Sequence, residues 1–407
     1  MSYIARHIEK TIAEFGEMFG AVLICGARQV GKSTVLQRCM PNVNYVTLDD
    51  YIRLEEAADA NLFFRNNKIP MIIDEIQYAP GLLRGIKMIL DRSHEKGRFY
   101  MSGSQQFHIM KNVTESLAGR LGILNLLGLS MREITGADFR DSFSPSESYV
   151  EARRKSVAAL DDDAVWRAIH TGGMPELYDN KKMRWDAYFA GYLRAYVERD
   201  VRELSQVGDT RLFVSFMTSV AARTGQLLNK AAIANEVGIS APTVERWLTV
   251  LEGAGLVYRL RPYSSNAIKR ETKSPKLYFL NTGLAAYLTG WKTPEVLRNG
   301  AVSGAYFETY VFGEILKSCY NNGIIDPAIY FYRDRNGNEI DLILEEAQTL
   351  YPIEIKKHAS PSKRDIAAFA YLDAIPGRKR GEGCVVCMYD GVVMLSERDR
   401  ALPVSYI

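Results

Sequence analysis

Between residues 21 and 127, short apolar runs alternate with longer segments of mixed polarity. The runs lie at 21–25, 45–48, 71–73, 99–101 and 123–127. Near-continuous apolar runs of this length predict strands buried on both faces of a parallel sheet. The segments between them are long enough for crossover helices, which predicts a doubly wound α/β domain over residues 1–140. The polar stretch Ser142-Phe-Ser-Pro-Ser-Glu-Ser148 marks its end. From 163 to about 255 the spacing turns helical. Trp166, Ile169, Tyr188, Tyr192 and Tyr196 fall on amphipathic faces, and a second region is placed at 160–262. Beyond about residue 272 the pattern mixes again. It predicts a strand at 276–280, a helix at 306–319, strands at 339–344 and 350–355, a further helix, and a last apolar strand at 384–388. Residues 272–407 therefore read as a third unit of α/β type.

Within the second region, 228–251 reads as two short helices around a turn. Ala231, Ile233, Ala234 and Val237 give one apolar face, Gly238 the turn and Ser240 an N-cap. Pro242 then sits in the first turn of the second helix, where its missing N–H costs little. Val244, Trp247, Leu248 and Leu251 continue the face, and 255–260 would supply a wing strand. The outline is that of a winged helix, with 241–252 as the helix presented to a DNA major groove. In that helix Glu245 and Glu252 outnumber Arg246, so it brings no net positive charge to phosphates. The stretch 264–276 is more basic, with Lys269, Arg270, Lys273 and Lys276 against Glu271. DNA contact and a purely structural or subunit-packing role both stay open for this region.

Composition narrows the picture without naming a partner. The chain has 407 residues, 47% hydrophobic and 24% charged, which excludes a disordered or collagen-like chain. Its 51 Lys+Arg and 48 Asp+Glu leave a net charge of only +3, so any nucleic-acid binding must come from local patches. Five cysteines are too few for a disulfide framework and fit a reducing compartment. No uncharged apolar stretch reaches the roughly 18 residues of a membrane span, and residues 1–10 lack the apolar core of a signal peptide. A cytoplasmic protein without membrane contact is expected. Cys384-Val-Val-Cys387 has zinc-like spacing, but it lies in an apolar strand with no second pair, and core packing is the reading adopted.

The sharpest chemical signal follows the first predicted strand. Gly26-Ala27-Arg28-Gln29-Val30-Gly31-Lys32-Ser33 matches the G-x-x-x-x-G-K-[ST] phosphate loop, with Thr34 opening a helix-compatible run. The glycines let backbone N–H groups turn toward phosphate oxygens. Lys32 supplies a cation for the β/γ-phosphates, Ser33 a hydroxyl for Mg²⁺, and the helix dipole adds to both. ATP and Mg²⁺ are the expected ligands. The run 69–73 then leads into Asp74-Glu75. At such a strand end Asp74 would hold the metal through water, and Glu75 would polarise the attacking water. The next strand ends in Ser102-Gly-Ser104, either of whose hydroxyls would sense the γ-phosphate. Arg120 closes Ser116-Leu-Ala-Gly-Arg and would stabilise transition-state charge on the nucleotide of an adjacent subunit, which requires a homo-oligomer.

These residues resemble a known arrangement. Gly26–Ser33, Ile72-Ile-Asp-Glu-Ile76, Ser102-Gly-Ser104, Leu117-Ala-Gly-Arg120 and Leu129-Ser-Met-Arg-Glu133 are similar to the AAA+-type P-loop ATPase domain of a large group of prokaryotic ATP-binding proteins. Gly172-Gly-Met-Pro-Glu176, Tyr196-Val-Glu-Arg-Asp200 and Lys276-Leu-Tyr-Phe-Leu-Asn-Thr-Gly-Leu284 resemble the domain that accompanies it. The resemblance implies ATP binding and hydrolysis and leaves the substrate open.

A second constellation lies near the C-terminus. Asp341 and Glu354 stand 13 residues apart on two predicted strands of a hairpin, and Glu354 and Lys356 share a face. Two carboxylates and a lysine converging there would form a Mg²⁺-dependent phosphodiesterase site. The set resembles the PD-(D/E)xK nuclease superfamily, which implies a restriction-endonuclease-like fold and adds Glu308 as the upstream helix acid. The family's proline is replaced, since Glu339-Ile340 precedes Asp341. Three functions follow: a DNA-acting ATPase with metal-dependent cleavage, a nucleotide switch whose last domain recognises a partner without cutting, and a DNA-binding regulator.

Overall fold

The computed structural model describes residues 3–104, 117–157, 160–196, 210–264 and 274–407. Five parallel strands form the first layer: β1 (Ala21–Cys25), β2 (Asn44–Thr47), β3 (Met71–Asp74), β4 (Phe99–Gly103) and β5 (Leu121–Asn125), in the order β2-β3-β4-β1-β5. All five apolar runs are strands, and β1, β3 and β4 are buried at every position. Alternate residues of β1 serve different cores. Val22 and Ile24 face the core shared with Ile12 of α1 (Glu9–Met18) and Val35 of α2 (Lys32–Cys39). Ala21, Leu23 and Cys25 face Leu82, Ile86 and Leu90 of α3 (Leu82–Ser93) on the other side. Helices on both faces of a parallel sheet in this strand order are the P-loop NTPase fold. The topology sets the C-terminal ends of β1, β3 and β4 side by side, which is where open α/β sheets bind ligands.

The sheet is followed by a short capped helix, α4 (Met131–Thr135), and then by a helical region with α5 (Asp162–Thr171), α6 (Trp185–Ala195) and α7 (Thr210–Ala221). Next come β6 (Gln226–Leu227), α8 (Lys230–Val237), α9 (Ala241–Gly253), β7 (Val257–Leu260) and β8 (Lys276–Phe279). The helix pair forms as its sequence predicts. Gly238 ends α8 at φ +77°, and Ser240 caps α9 by accepting from the Thr243 N–H at 3.2 Å. The three strands make an antiparallel sheet in the order β6-β8-β7. β8 therefore pairs within the middle region, although the pattern assigned 272 onward to the last unit. Strand pairing is a long-range choice that a local apolar run does not encode.

The last unit carries a seven-stranded mixed sheet among the described residues. Its strands are β9 (Ile329–Arg333), β10 (Glu339–Glu346), β11 (Thr349–Lys356), β12 (Lys379–Arg380), β13 (Gly383–Cys387), β14 (Val393–Met394) and β15 (Asp399–Pro403). β9, β10 and β11 are antiparallel neighbours, while β11, β13 and β15 run parallel. After α10 (Thr282–Leu288), the long helix α11 (Ser303–Asn321) packs on β11. Between β11 and β13 the expected α-helix is a 3-10 segment, Ala367–Ala374. Cys384 and Cys387 are buried free thiols in β13, as core packing predicts.

Two contacts fix the loop-bearing unit, one within it and one to its neighbours. Arg6 and Glu133 form a buried ion pair at 3.0 Å. The same Arg6 donates to the carbonyls of Val30 and Leu127, each at 2.8 Å, while Glu133 accepts from the N–H groups of His7 and Ser130. The second contact is backbone on backbone. A Cβ on Gly128 would lie 2.5 Å from Gly173 O, one on Gly172 would meet Asn281, and one on Gly283 would lie 2.3 Å from Thr171 O. The Gly172-Gly-Met-Pro-Glu and Asn281-Thr-Gly motifs thus mark where three units touch, and only glycine allows that approach.

Burial alone would raise the Glu133 carboxyl, but Arg6 and the two N–H groups outweigh it and hold it below its ordinary 4.5. A carboxylate depressed in the folded state contributes stability above its unfolded value and loses it as the pH falls through the folded one. Glu133→Gln is expected to cost about 3–5 kcal/mol in unfolding experiments at neutral pH. Its deficit against wild type should narrow steadily once the pH drops below about 4. A deficit unchanged by acid would show that the charge of Glu133 is not what matters.

Candidate nucleotide site and C-terminal carboxylate cluster

The phosphate loop leaves β1 at Cys25 and enters α2 at Lys32. A Cβ on Gly26 would stand 2.1 Å from Leu126 O, so the loop lies directly on the backbone that follows β5. Lys32 is buried, and its Nζ donates to Gly26 O at 3.0 Å and Ala27 O at 2.9 Å. Burial lowers its pKa against the opposing pull of Glu75 and Asp74. Val30 O accepts from Arg6, Arg28 reaches Tyr78 OH at 3.4 Å, and Gln29 Oε1 accepts from Tyr188 OH at 2.8 Å. Gly31 and Thr34 line the cleft beside Lys32 and Ser33.

Asp74 ends β3 against this loop. Its Oδ1 accepts from Ser33 Oγ at 2.6 Å and from Ser102 Oγ, and its Oδ2 from Tyr45 OH at 2.8 Å. Glu75, at φ +58°, is a non-glycine residue in the left-handed region, and its N–H donates to Ser102 Oγ at 3.2 Å. Its Oε2 accepts from the Gln77 amide and from Ser104 Oγ at 3.4 Å, while Gln77 also donates to Ser104 at 3.2 Å. The two serines therefore separate: Ser102 serves Asp74, and Ser104 serves Glu75. Tyr45 and Gln77 escape a reading of single motifs because each acts from a neighbouring element. A Ser33 hydroxyl beside an Asp74 carboxylate is a set of hard oxygens, and the residues fit Mg²⁺.

The loop faces an open cleft of about 620 Å³ whose far wall is Pro175, Glu176, Tyr188 and Tyr192. Tyr188 and Tyr192 of α6 and Tyr196 just past its end stack with ring centroids 6.3 and 6.4 Å apart. Around Gly31 and Thr34 a second pocket of about 250 Å³ opens between Tyr3, Ile4, Leu129 and Pro175. Behind the loop, a Cβ on Gly255, in the turn after α9, would lie 3.3 Å from Ala27 N. Arg120 is elsewhere. It precedes β5 at the opposite end of the sheet and pairs with Asp91 at 2.5 Å, so it does not reach the cleft of its own chain.

The four C-terminal residues come together. Asp341 on β10 lies opposite Glu354 on β11, and its Oδ2 accepts from the Ile355 N–H at 2.9 Å. Lys356 Nζ stands 2.5 Å from Glu354 Oε1 and 4.0 Å from Asp341 Oδ2. Glu308, on α11, is linked to them by Lys276, which lies 2.8 Å from Glu308, 2.6 Å from Glu339 and 3.4 Å from Asp341. Tyr278 OH also donates to Glu308 at 2.6 Å. Burial, and then the charge of Asp341, push the Glu308 and Glu354 carboxyls upward. The residues do not fit a metal held by Glu308, Asp341 and Glu354: an ammonium sits among them, and no group of three or more His, Cys, Asp or Glu among the described residues is placed to hold an ion. Lys276 also leaves the basic stretch 264–276, because it is buried and triply paired. Lys269, Arg270 and Lys273 lie outside the described residues, as do residues 197–200 of the Tyr196-Val-Glu-Arg-Asp motif.

Comparison with known proteins agrees with the first third of this description. Residues 19–135 match a family model described as an AAA domain, so this part is similar to AAA-type ATPase domains. Residues 162–295 and 303–407 match two domains of unknown function, DUF8612 and DUF4143. An uncharacterized protein of Mycobacterium tuberculosis, Rv2008c, is 28% identical over 348 residues, covering 84% of this chain and 71% of its own. An uncharacterized protein of Haemophilus influenzae is 23% identical over 356 residues, covering 82% and 81%. Among solved structures, the Walker-type ATPase of Pyrococcus abyssi aligns at 13% identity with a TM-score of 0.46, over 70% of this chain and 96% of that one. Among the described residues no helix is long and apolar enough to cross a membrane.

Ser102→Ala would remove one of the two hydroxyl hydrogen bonds to Asp74 Oδ1 and the acceptor of the Glu75 N–H, and is expected to cost about 1–3 kcal/mol in denaturant unfolding. Ser104→Ala removes only longer hydrogen bonds, at 3.4 Å to Glu75 and 3.2 Å from Gln77, and should stay within about 1 kcal/mol of wild type. The reverse order would mean that the two serines are assigned the wrong way round.

Proposed function

We propose that the chain binds and hydrolyses ATP in its N-terminal domain and uses the nucleotide cycle to act on DNA through the middle region. The observation that carries this reading is the pair of hydrogen-bonded carboxylates beside Lys32: Asp74 on Ser33, and Glu75 on Gln77 and Ser104. The triphosphate lies along Gly26–Thr34, and Lys32 exchanges its two carbonyl partners for β/γ oxygens. Ser33 and Asp74 would hold Mg²⁺, which when bound would supply positive charge beside those oxygens. Glu75 takes the proton from the attacking water, and Ser104 and Gln77 fix the direction of its carboxylate. The pocket between Tyr3, Ile4 and Pro175 takes the base. Arg120, at the far end of the sheet, acts only on the nucleotide of an adjacent subunit in a homo-oligomer.

The order β6-β8-β7 around α8 and α9 supports the winged-helix reading, and with it DNA as the partner. The acids of α9 are no obstacle. Glu245 pairs with Arg259 at 2.6 Å and with Lys230 at 3.2 Å, and Glu252 pairs with Arg259 as well. Two contacts carry nucleotide state to this region, Tyr188 on Gln29 and Gly255 on Ala27. For the last unit the favoured reading is recognition without cleavage, because Lys276 occupies its carboxylates. Residues 1–140, 160–262 and 272–407 then act as motor, DNA-contacting region and recognition unit, with β8 of the last span built into the middle sheet.

Purified chain is expected to hydrolyse ATP with Mg²⁺, and faster when duplex DNA is added. Lys32→Ala should lose nucleotide binding, whereas Glu75→Gln should bind ATP normally and turn over about 10²–10⁴-fold more slowly. Full turnover in Lys32→Ala would end the ATPase reading. A rate indifferent to DNA, with no DNA binding in gel shift, would leave the ATPase and remove DNA.

A further inference from the structure

The carboxylates of the C-terminal unit are held by an ammonium that belongs to another sheet. Lys276 lies on β8, which pairs with β6 and β7, yet its side chain crosses to α11 and β10. Its Nζ stands 2.6 Å from Glu339 Oε1, 2.8 Å from Glu308 Oε1 and 3.4 Å from Asp341 Oδ1, and the residue is 4% exposed. The ring of Phe331 lies 5.9 Å from the same nitrogen and closes one side. A lysine ammonium has three protons and no acceptor, and here three oxygens from three residues meet it. Hard divalent cations seek the same oxygens, and two cations within about 4 Å of each other at low dielectric repel strongly. One position cannot serve both.

We propose that Lys276 is the resident cation of this cluster: its ammonium stands where a divalent metal would, and the cluster accepts a metal only when that charge is withdrawn. Lys356 does not compete for the position, because it sits on the other side of Asp341, against Glu354. β8 is also placed to move the ammonium. It runs through Leu280 into Asn281-Thr-Gly283, which packs on Gly172 beside the loop-bearing domain, and Leu280 N–H donates to Leu256 O at 2.9 Å next to Gly255. The inference does not rest on ATP hydrolysis.

The test uses Mn²⁺ as the probe on the full chain without nucleotide, with bound metal counted by electron paramagnetic resonance of the free ion. Wild type and Asp341→Asn should bind the same amount. Lys276→Met and Lys276→Gln should each bind one additional ion per chain, and adding Asp341→Asn should abolish it. Thermal unfolding provides a second reading: Mn²⁺ should raise the midpoint of Lys276→Met and leave that of wild type unmoved. Wild-type binding that falls on Asp341→Asn would overturn the proposal. So would two Lys276 variants that gain no ion, folded or unfolded.

Discussion

The structure depends on one constraint: the phosphate loop is seated on close backbone contacts. Gly26 lies on the carbonyl of Leu126, Gly128 on that of Gly173, and Gly255 on the N–H edge of Ala27. Each of these approaches leaves less room than a methyl group needs. Packing so close cannot yield gradually, so a shift of the loop must be taken up by the segments that touch it. Arg6 fixes the same place by charge, holding the carbonyls of Val30 and Leu127 from its pair with Glu133. The motifs that would otherwise identify relatives without explaining them, Gly172-Gly-Met-Pro-Glu and Asn281-Thr-Gly, acquire a physical role at this joint.

Around the loop, buried charge is arranged so that every group has a partner. Asp74 accepts three hydroxyl hydrogen bonds, and Glu75 is turned toward Gln77 and Ser104. In the last unit four carboxylates, Glu308, Glu339, Asp341 and Glu354, meet two ammonium groups. Leaving any one of them unpaired in such surroundings costs several kcal/mol, roughly 3–5 by comparison with other buried pairs. The two sites differ in what they leave available. The N-terminal carboxylates face a cleft; those of the C-terminal unit face a lysine.

Much of this was legible in the chain. The five apolar runs became the five strands of the parallel sheet, and in β1, β3 and β4 burial on both faces explains why so few polar positions interrupt them. Gly238 and Ser240 announced the ends of α8 and α9 through local backbone chemistry. Asp341, Glu354 and Lys356 converge because register follows from hairpin spacing and a side-chain period of two. What escaped were relations between distant elements. The run 329–333 was not picked out, β8 chose partners 51 and 22 residues upstream (Leu277 with Gln226, Phe279 with Val257), and Lys276 read as part of a basic stretch until its three acids surrounded it. Ser102 and Ser104 lie on one strand two residues apart, so only the position of β3 beside them tells which carboxylate each serves.

The central claim is that the joint at Gly255 and Gly172 carries the state of the phosphate loop into the middle region. Amide hydrogen exchange of the full chain, with and without ATP and Mg²⁺, tests it most directly. The account predicts altered protection in residues 253–257 and 280–284 together with 26–34. A change confined to 26–34 and 74–77 would contradict it, because the loop would then respond to nucleotide without moving what is packed against it.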